Sequence, residues 1–309
     1  MCARSLVPWI LAVTLLVSAH GHAATCSCAG VPLLGSMESS SPDGRSWFVS
    51  TSYEFHDISD LVSGSDEIRD ETGRDRKTQS LIVEASYGFN DRWSVSALLS
   101  AIEHTRKVGR ASATEGRGIG DAIVMFKYRP RKIGLFDRNG LSFGFGARIP
   151  VGDDDQVDFV TLAEDMQPST GAWGTVVWAQ ARHAFDQSAR SQVFGSVSYS
   201  ANLENERDYR FGNAWSLGVG GIYRTSTPWG FSGELRYRNA ARDERNSVEI
   251  PNTGGEWLDF VPALQYHFND NLAAKISGRI PVWRNVNDVL QFTTSYSVAV
   301  SVSYVFSRQ

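Results

Sequence analysis

The chain has 309 residues, a formal net charge of −4 and 42% hydrophobic residues, a balance that offers no basic field for holding nucleic-acid phosphates. A mean hydropathy of −0.24 excludes a bundle of membrane helices. It leaves room for a membrane β-barrel, whose strands average apolar and polar positions within one segment.

The first predicted element is an export signal over residues 1–23. Arg4 supplies the basic start, Leu6 to Val17 the apolar core, and Gly21-His22-Ala23 the small residues of a cleavage site. The apolar run is shorter than the roughly 20 residues that a spanning helix needs. An N-terminal periplasmic segment follows over 24–44, carrying Cys26 and Cys28 as a C-x-C pair. A disulfide, a weak metal grip and a pair of free thiols are all compatible with that spacing. A lipid anchor is disfavoured, because Ala23 and Thr25 stand where it needs a leucine-type and a small residue.

From residue 45 to 309 the chain is a series of runs with period two. In order they lie near 45–56, 77–89, 93–104, 119–130, 140–150, 171–182, 191–202, 213–224, 230–240, 254–268, 271–282 and 291–306. The fold class this predicts is all-β, an antiparallel barrel of about 12 strands. Links such as Phe89-Asn90-Asp91-Arg92-Trp93 and Phe268-Asn269-Asp270-Asn271 are brief and rich in turn residues. Between them fall long polar stretches at 57–76, 105–118, 151–170, 203–212, 241–253 and 283–290. Short periplasmic turns alternating with longer extracellular loops are the layout of an outer-membrane barrel.

Charges obey the alternation. In the run from Gly230, Phe231, Leu235 and Tyr237 share one parity while Glu234, Arg236 and Arg238 share the other. Leu272, Ala274, Ile276, Ile280 and Val282 are set against Lys275 and Arg279, and Ala122, Val124, Phe126 and Tyr128 against Asp121, Lys127 and Arg129. Glu54, Glu84, Arg148 and Asp259 follow the same rule in their own runs. Because a one-residue slip reverses the faces, this agreement specifies a register.

The apolar face could meet a soluble core or lipid. About twelve strands enclose more volume than one inward apolar face fills easily, whereas lipid covers any outer surface. Trp93, Trp229, Phe89, Phe268, Tyr128 and Phe306 sit beside the short turns, as an interfacial aromatic girdle requires. Tyr296, Val298, Val300, Val302, Tyr304 and Phe306 are therefore expected to face lipid. The strand from Tyr296 to Phe306 is also similar to the C-terminal signal read by the barrel-assembly machinery, although Ser307, Arg308 and Gln309 follow the aromatic.

The segment Gly118-Ile119-Gly120-Asp121, with the strand ends Ala147-Arg148-Ile149-Pro150-Val151-Gly152-Asp153 and Gly278-Arg279-Ile280-Pro281-Val282, resembles the MetA-pathway of phenol degradation family of outer-membrane proteins. The resemblance covers residue 45 to the end. It implies a β-barrel transporter of small, often aromatic, compounds, with no catalytic residues.

The expected lumen-lining charges are Glu54, Glu84, Asp121, Lys127, Arg129, Arg148, Glu234, Arg236, Arg238, Asp259, Lys275 and Arg279. Their mixed signs leave two readings open, a narrow pore with weak anion preference and an ion-paired plug. His56 and His104 lie near the outer strand ends beside Asp57 and Glu103 and are expected to be rim histidines in water. Asp153, Asp154, Asp155, Asp158, Glu164 and Asp165 are expected to form a solvated acidic loop, with a divalent-cation site the less favoured alternative. No catalytic residue, metal or cofactor is assigned. The functional expectation is an outer-membrane channel of a Gram-negative bacterium passing small, apolar or aromatic solutes of unknown identity. Its other expected partners are membrane lipid and lipopolysaccharide, and no nucleic acid. A non-transporting adhesion barrel and an outer-membrane hydrolase are the alternatives.

Overall fold

The computed structural model describes residues 44–130, 139–158 and 160–307. The signal segment and Cys26 and Cys28 lie outside them. The first half of the barrel wall is built from β1 (Ser46–Asp57), β2 (Arg74–Gly88), β3 (Trp93–Val108), β4 (Ala122–Tyr128), β5 (Asn139–Ile149) and β6 (Gly174–Ala184). The second comprises β7 (Ser191–Asn202), β8 (Ala214–Arg224), β9 (Trp229–Ala240), β10 (Gly255–His267), β11 (Leu272–Val286) and β12 (Tyr296–Ser307). Each strand pairs antiparallel with the next, and β12 pairs back onto β1 from Ser46↔Ser307 to Asp57↔Tyr296. The sheet closes, so no edge strand is left to satisfy in a membrane.

Large apolar side chains stand exposed around the outside of this wall. They include Leu81, Val83, Phe126, Phe145, Val177, Leu217, Val219, Leu235, Ile276 and the β12 set Tyr296, Val298, Val300, Val302, Tyr304 and Phe306. A belt of that extent is stable only against an apolar solvent. Its short-turn rim carries aromatic pairs with ring centroids 4.6 Å apart for Trp93–Tyr128 and 4.7 Å for Trp229–Tyr266. Near the long loops, Trp215 and Tyr237 pair at 5.1 Å. The chain forms a closed twelve-stranded transmembrane barrel.

The short turns reuse one device. Asn90 Oδ1 accepts from the backbone N–H groups of Arg92 and Trp93, and Asn269 Oδ1 from those of Asn271 and Leu272. Asp186 does the same with Arg190 and Ser191 and also takes the Ser188 hydroxyl. A short polar side chain replaces the missing ladder bonds in each case.

Three predicted runs need correction. The stretch 105–118 is not a loop: β3 continues to Val108 and pairs with a strand over Thr114–Ile119 that leads into β4. Between that strand and β4, the register against β3 moves from Ala101↔Ile119 to Leu98↔Ile123. The extra residue is a bulge at Gly120-Asp121 that aims Asp121 inward. The run 291–306 also divides, because Gln291–Thr293 leaves the barrel and pairs with Asp60–Ser63. The run 271–282 is longer than predicted, since β11 reaches Val286 through a register shift opposite Leu258 and Asp259.

Candidate functional site

The site is the barrel interior, which divides into a packed part and an open part. On the inner face of β2 to β6, Ile82, Leu98, Ile123, Met125, Val176 and Trp178 form one buried cluster. The inner face is thus not uniformly polar, which alternation of charges alone does not reveal. Glu84, 1% exposed, and Lys127, 2% exposed, are enclosed in the same region, with Lys127 Nζ 5.9 Å from the Trp178 ring.

The loop after β5 folds inward and closes the long-loop end over this cluster. Its short 3₁₀ turn, Glu164–Met166, is held from three directions. Asp165 pairs with Arg76 at 2.7 Å. Glu164 takes Arg207 at 2.5 Å and Arg245 at 3.0 Å, each from a different loop. Asp121 receives the Ser169 hydroxyl at 2.5 Å, the Thr170 hydroxyl at 2.6 Å and the Thr170 backbone N–H at 3.2 Å. Gly116 makes the approach possible, because a Cβ there would lie 2.3 Å from the Met166 carbonyl oxygen. The remaining loops complete the lid. Val62, Ala240, Trp257 and Val286 form one cluster and Ile58, Leu61 and Phe292 another, while Arg284 pairs with Asp60 at 2.5 Å.

Two expectations about this end are therefore corrected. Glu164 and Asp165 are not solvated loop acids but clamp the inward fold, and Asp154 pairs with Arg207 at 3.2 Å. Among the described residues no group of three or more His, Cys, Asp or Glu could hold a metal ion. His56 and His104 are not rim residues in water, for both are buried. They flank Thr78 in one row across β1, β2 and β3. His104 Nδ1 is 2.9 Å from the Thr78 hydroxyl, and His56 Nε2 is 3.3 Å from Glu54 Oε2.

Beside the packed part, a cavity of about 470 Å³ opens inside the wall and runs along β1 from Phe48, near the short turns, to His56, near the long loops. It is floored by β1 and β7 to β12 and reaches the last inward residues of β4, β5 and β6. Of the twelve predicted charges, Glu54, Arg129, Glu234, Arg236, Lys275 and Arg279 line it. Glu84, Asp121, Lys127, Arg148 and Arg238 are instead buried in the packed part or the lid. Arg148 Nη1 donates to Asn202 Oδ1 at 3.0 Å and its Nε lies 3.9 Å from Asp121. Arg238 stacks over the Trp257 ring at 4.0 Å. Asp259 is 3.8 Å from Arg279, and Arg236 grips Glu234 through two contacts of 2.9 Å. Charges were placed on one side by parity, but their division between lid and cavity depends on where the loops fold.

Sequence reasoning passed over two cavity residues, Arg182 and Arg224. Arg182 lies two residues before the end of β6 and Arg224 ends β8, both on the inward parity two positions beyond Gln180 and Ile222, so the alternation already marks them. It also passed over the lid residues Arg76, Arg207, Arg245 and Arg284; Arg76 shares the inward parity of Ile82 and Glu84 on β2, whereas no alternation marks Arg207 and Arg245.

These features define a porin-like outer-membrane β-barrel, with an inward loop at one end and a polar cavity inside the wall. The chain is similar in fold to the outer membrane channel from Pseudomonas putida F1, with a TM-score of 0.68 at 13% identity, over 86% of this chain and 97% of that one. Lower similarity is found to the NanC porin, with a TM-score of 0.46 at 13% identity over 84% of this chain and 98% of that one. The CymD monoaromatic hydrocarbon channel has a TM-score of 0.44 at 11% identity over 86% and 89%. No family model and no curated protein matches the sequence.

Proposed function

We propose that this barrel is a channel in the outer membrane of a Gram-negative bacterium, passing small solutes by passive diffusion, as its resemblance to the MetA-pathway of phenol degradation family implies. The observation that carries the reading is the cavity of about 470 Å³ with a polar, charged wall, which runs along β1 from Phe48 to His56. A barrel serving only as a scaffold has no need to keep such a volume open, since packed interiors leave few voids larger than water. In this reading the loop over 150–173 sets the constriction, and it is tied down by hydrogen bonds and ion pairs that can exchange with water. The exposed face of β12 serves recognition by the barrel-assembly machinery, and the belt and outer loops meet lipid and lipopolysaccharide.

Single-channel recording in a planar bilayer tests this, using protein whose folding is checked by heat-modifiable gel migration. Small, discrete, salt-dependent steps are expected from the full chain, and larger steps after residues 163–172 are replaced by a short Gly/Ser link. A folded barrel that stays silent in both forms would overturn the channel and favour a non-transporting surface protein.

A further inference from the structure

The inner faces of β1 and β12 carry side chains in an order that passive flow does not require. Along β1 on the inward parity, Phe48 is followed by Ser50, Ser52 and Glu54, and all four line the cavity. Ser303 stands directly across from Ser50 and Ser301 directly across from Ser52, and both line the cavity as well. Opposite residues of an antiparallel pair hold their β-carbons about 5 Å apart, and successive inward residues of one strand are roughly 7 Å apart. Four hydroxyls therefore mark the corners of a small rectangle, with the Phe48 ring beside one end and the Glu54 carboxylate beside the other. Across from Glu54 stands Ala299, too short to cover that carboxylate.

Two of these hydroxyls are costly to leave unmet. Ser50 is 9% exposed and Ser52 6%, and none of the described residues hydrogen-bonds either hydroxyl. On β2, the residue across from Ser52 is Ile82 of the packed cluster, which offers it nothing polar. A buried hydroxyl without a partner costs free energy that a molecule in the cavity can offset. Because a serine hydroxyl both donates and accepts, its best match is another hydroxyl, and an apolar surface laid against it leaves both roles empty. Glu54, with Oε2 3.3 Å from His56 Nε2, adds acceptor sites, since a carboxylate takes several hydrogen bonds. Phe48 supplies a flat apolar face on which the C–H side of a sugar ring can rest.

Resting on the channel reading, we propose that Phe48, Ser50, Ser52, Glu54, Ser301 and Ser303 form a subsite for small polyhydroxylated solutes, the class represented by a monosaccharide. The sugar ring packs its C–H side on Phe48, and its hydroxyls exchange hydrogen bonds with the four serines and Glu54. Binding is weak, because a solute that passes a channel must also leave its sites.

The test is ligand-detected NMR on the folded full chain in detergent, with empty micelles as the blank and glucose, erythritol and cyclohexanediol as probes. Glucose is expected to bind saturably, with cyclohexanediol about tenfold weaker, the loss that one or two missing hydrogen bonds produce. The paired replacements S52A/S301A and S50A/S303A should each weaken glucose and erythritol about tenfold, whereas F48A should weaken glucose and leave erythritol unchanged. Only variants with wild-type heat-modifiable migration are compared. Equal binding of glucose and cyclohexanediol, or wild-type glucose binding in either folded paired variant, overturns the subsite. Because this readout needs no bilayer, conductance without saturable glucose binding removes the subsite and leaves the channel. Saturable glucose binding in a barrel that passes no current keeps the subsite and removes the channel.

Discussion

Glu164 and Arg207 come from different loops and meet side by side, with Arg207 Nε 2.9 Å from Glu164 Oε1 and Nη2 2.5 Å from Oε2. The Glu164 side chain is only 6% exposed, so the pair holds an acid that water hardly reaches. Arg245 contacts the same carboxylate but is 52% exposed. The two arginines should therefore differ. Replacing Arg207 with Ala is expected to lower stability by about 1.5–3 kcal/mol, the range for a hydrogen bond to a charged group. Replacing Arg245 should cost less than about 1 kcal/mol, as for an exposed pair. Denaturant unfolding in detergent measures both, and single-channel noise should rise in R207A as the inward loop loosens.

Asp121 predicts a larger effect. It accepts three hydrogen bonds from Ser169 and Thr170 and is the acid nearest the buried Arg148. Asp121→Ala removes the loop anchor and leaves a buried cation undercompensated, a change that costs roughly 3–5 kcal/mol. Asp121→Asn keeps an acceptor for Thr170 and should lie between the two. The readouts are unfolding midpoint and conductance, and an unaltered midpoint in D121A would show that the loop is held elsewhere.

The outer face gives a prediction about register. Val300 is exposed on the belt, whereas Ser301 lines the cavity one residue away. An arginine at 300 should destabilise the barrel by about 2–4 kcal/mol if the site lies near the bilayer midplane, and an arginine at 301 should be nearly neutral. Folding titrations into lipid vesicles separate them. Equal costs would mean that β12 does not present its apolar face to lipid.

That face was legible in the sequence because strand side chains repeat with period two, so Val298, Val300 and Val302 announce their side without knowledge of any partner strand. The same rule sorted the twelve charges. It could not show the bulge at Gly120-Asp121, since an extra residue is visible only against the strand it pairs with. Nor could it show that Glu164 and Asp165 fold inward, because their partners Arg207, Arg245 and Arg76 come from remote segments whose approach depends on the finished barrel. The alternation places Arg182 and Arg224 inward, yet their position at strand ends makes them look like turn residues. Cavity membership was thus readable from parity, and lid membership was not readable from any local pattern.

The turn at Asp186 carries a pH dependence. Hydrogen bonds from the Ser188 hydroxyl and from the backbone of Arg190 and Ser191 lower its pKa to about 2, below the ordinary aspartate value. A depressed carboxylate contributes stability that is fully present above its unfolded value and is lost as pH falls through the folded one. The β6–β7 turn should accordingly loosen between about pH 4 and pH 2. Asp186→Asn should flatten that part of the profile, read by amide exchange at Ser191 or by unfolding midpoint against pH.

The Glu234–Arg236 pair allows a charge cycle inside the cavity. Both residues line it, and their two contacts of 2.9 Å neutralise each other. Arg236→Ala leaves Glu234 as an uncompensated negative charge and should reduce the preference for anions. Glu234→Ala removes one negative charge from the cavity wall and should increase it. The double replacement restores the balance and should return selectivity close to that of the original chain, since charge rather than shape sets ion preference in a hydrated lumen. Reversal potentials across a salt gradient report each step. A double variant that departs as far as either single one would show that the pair holds the lumen's shape instead of tuning its field.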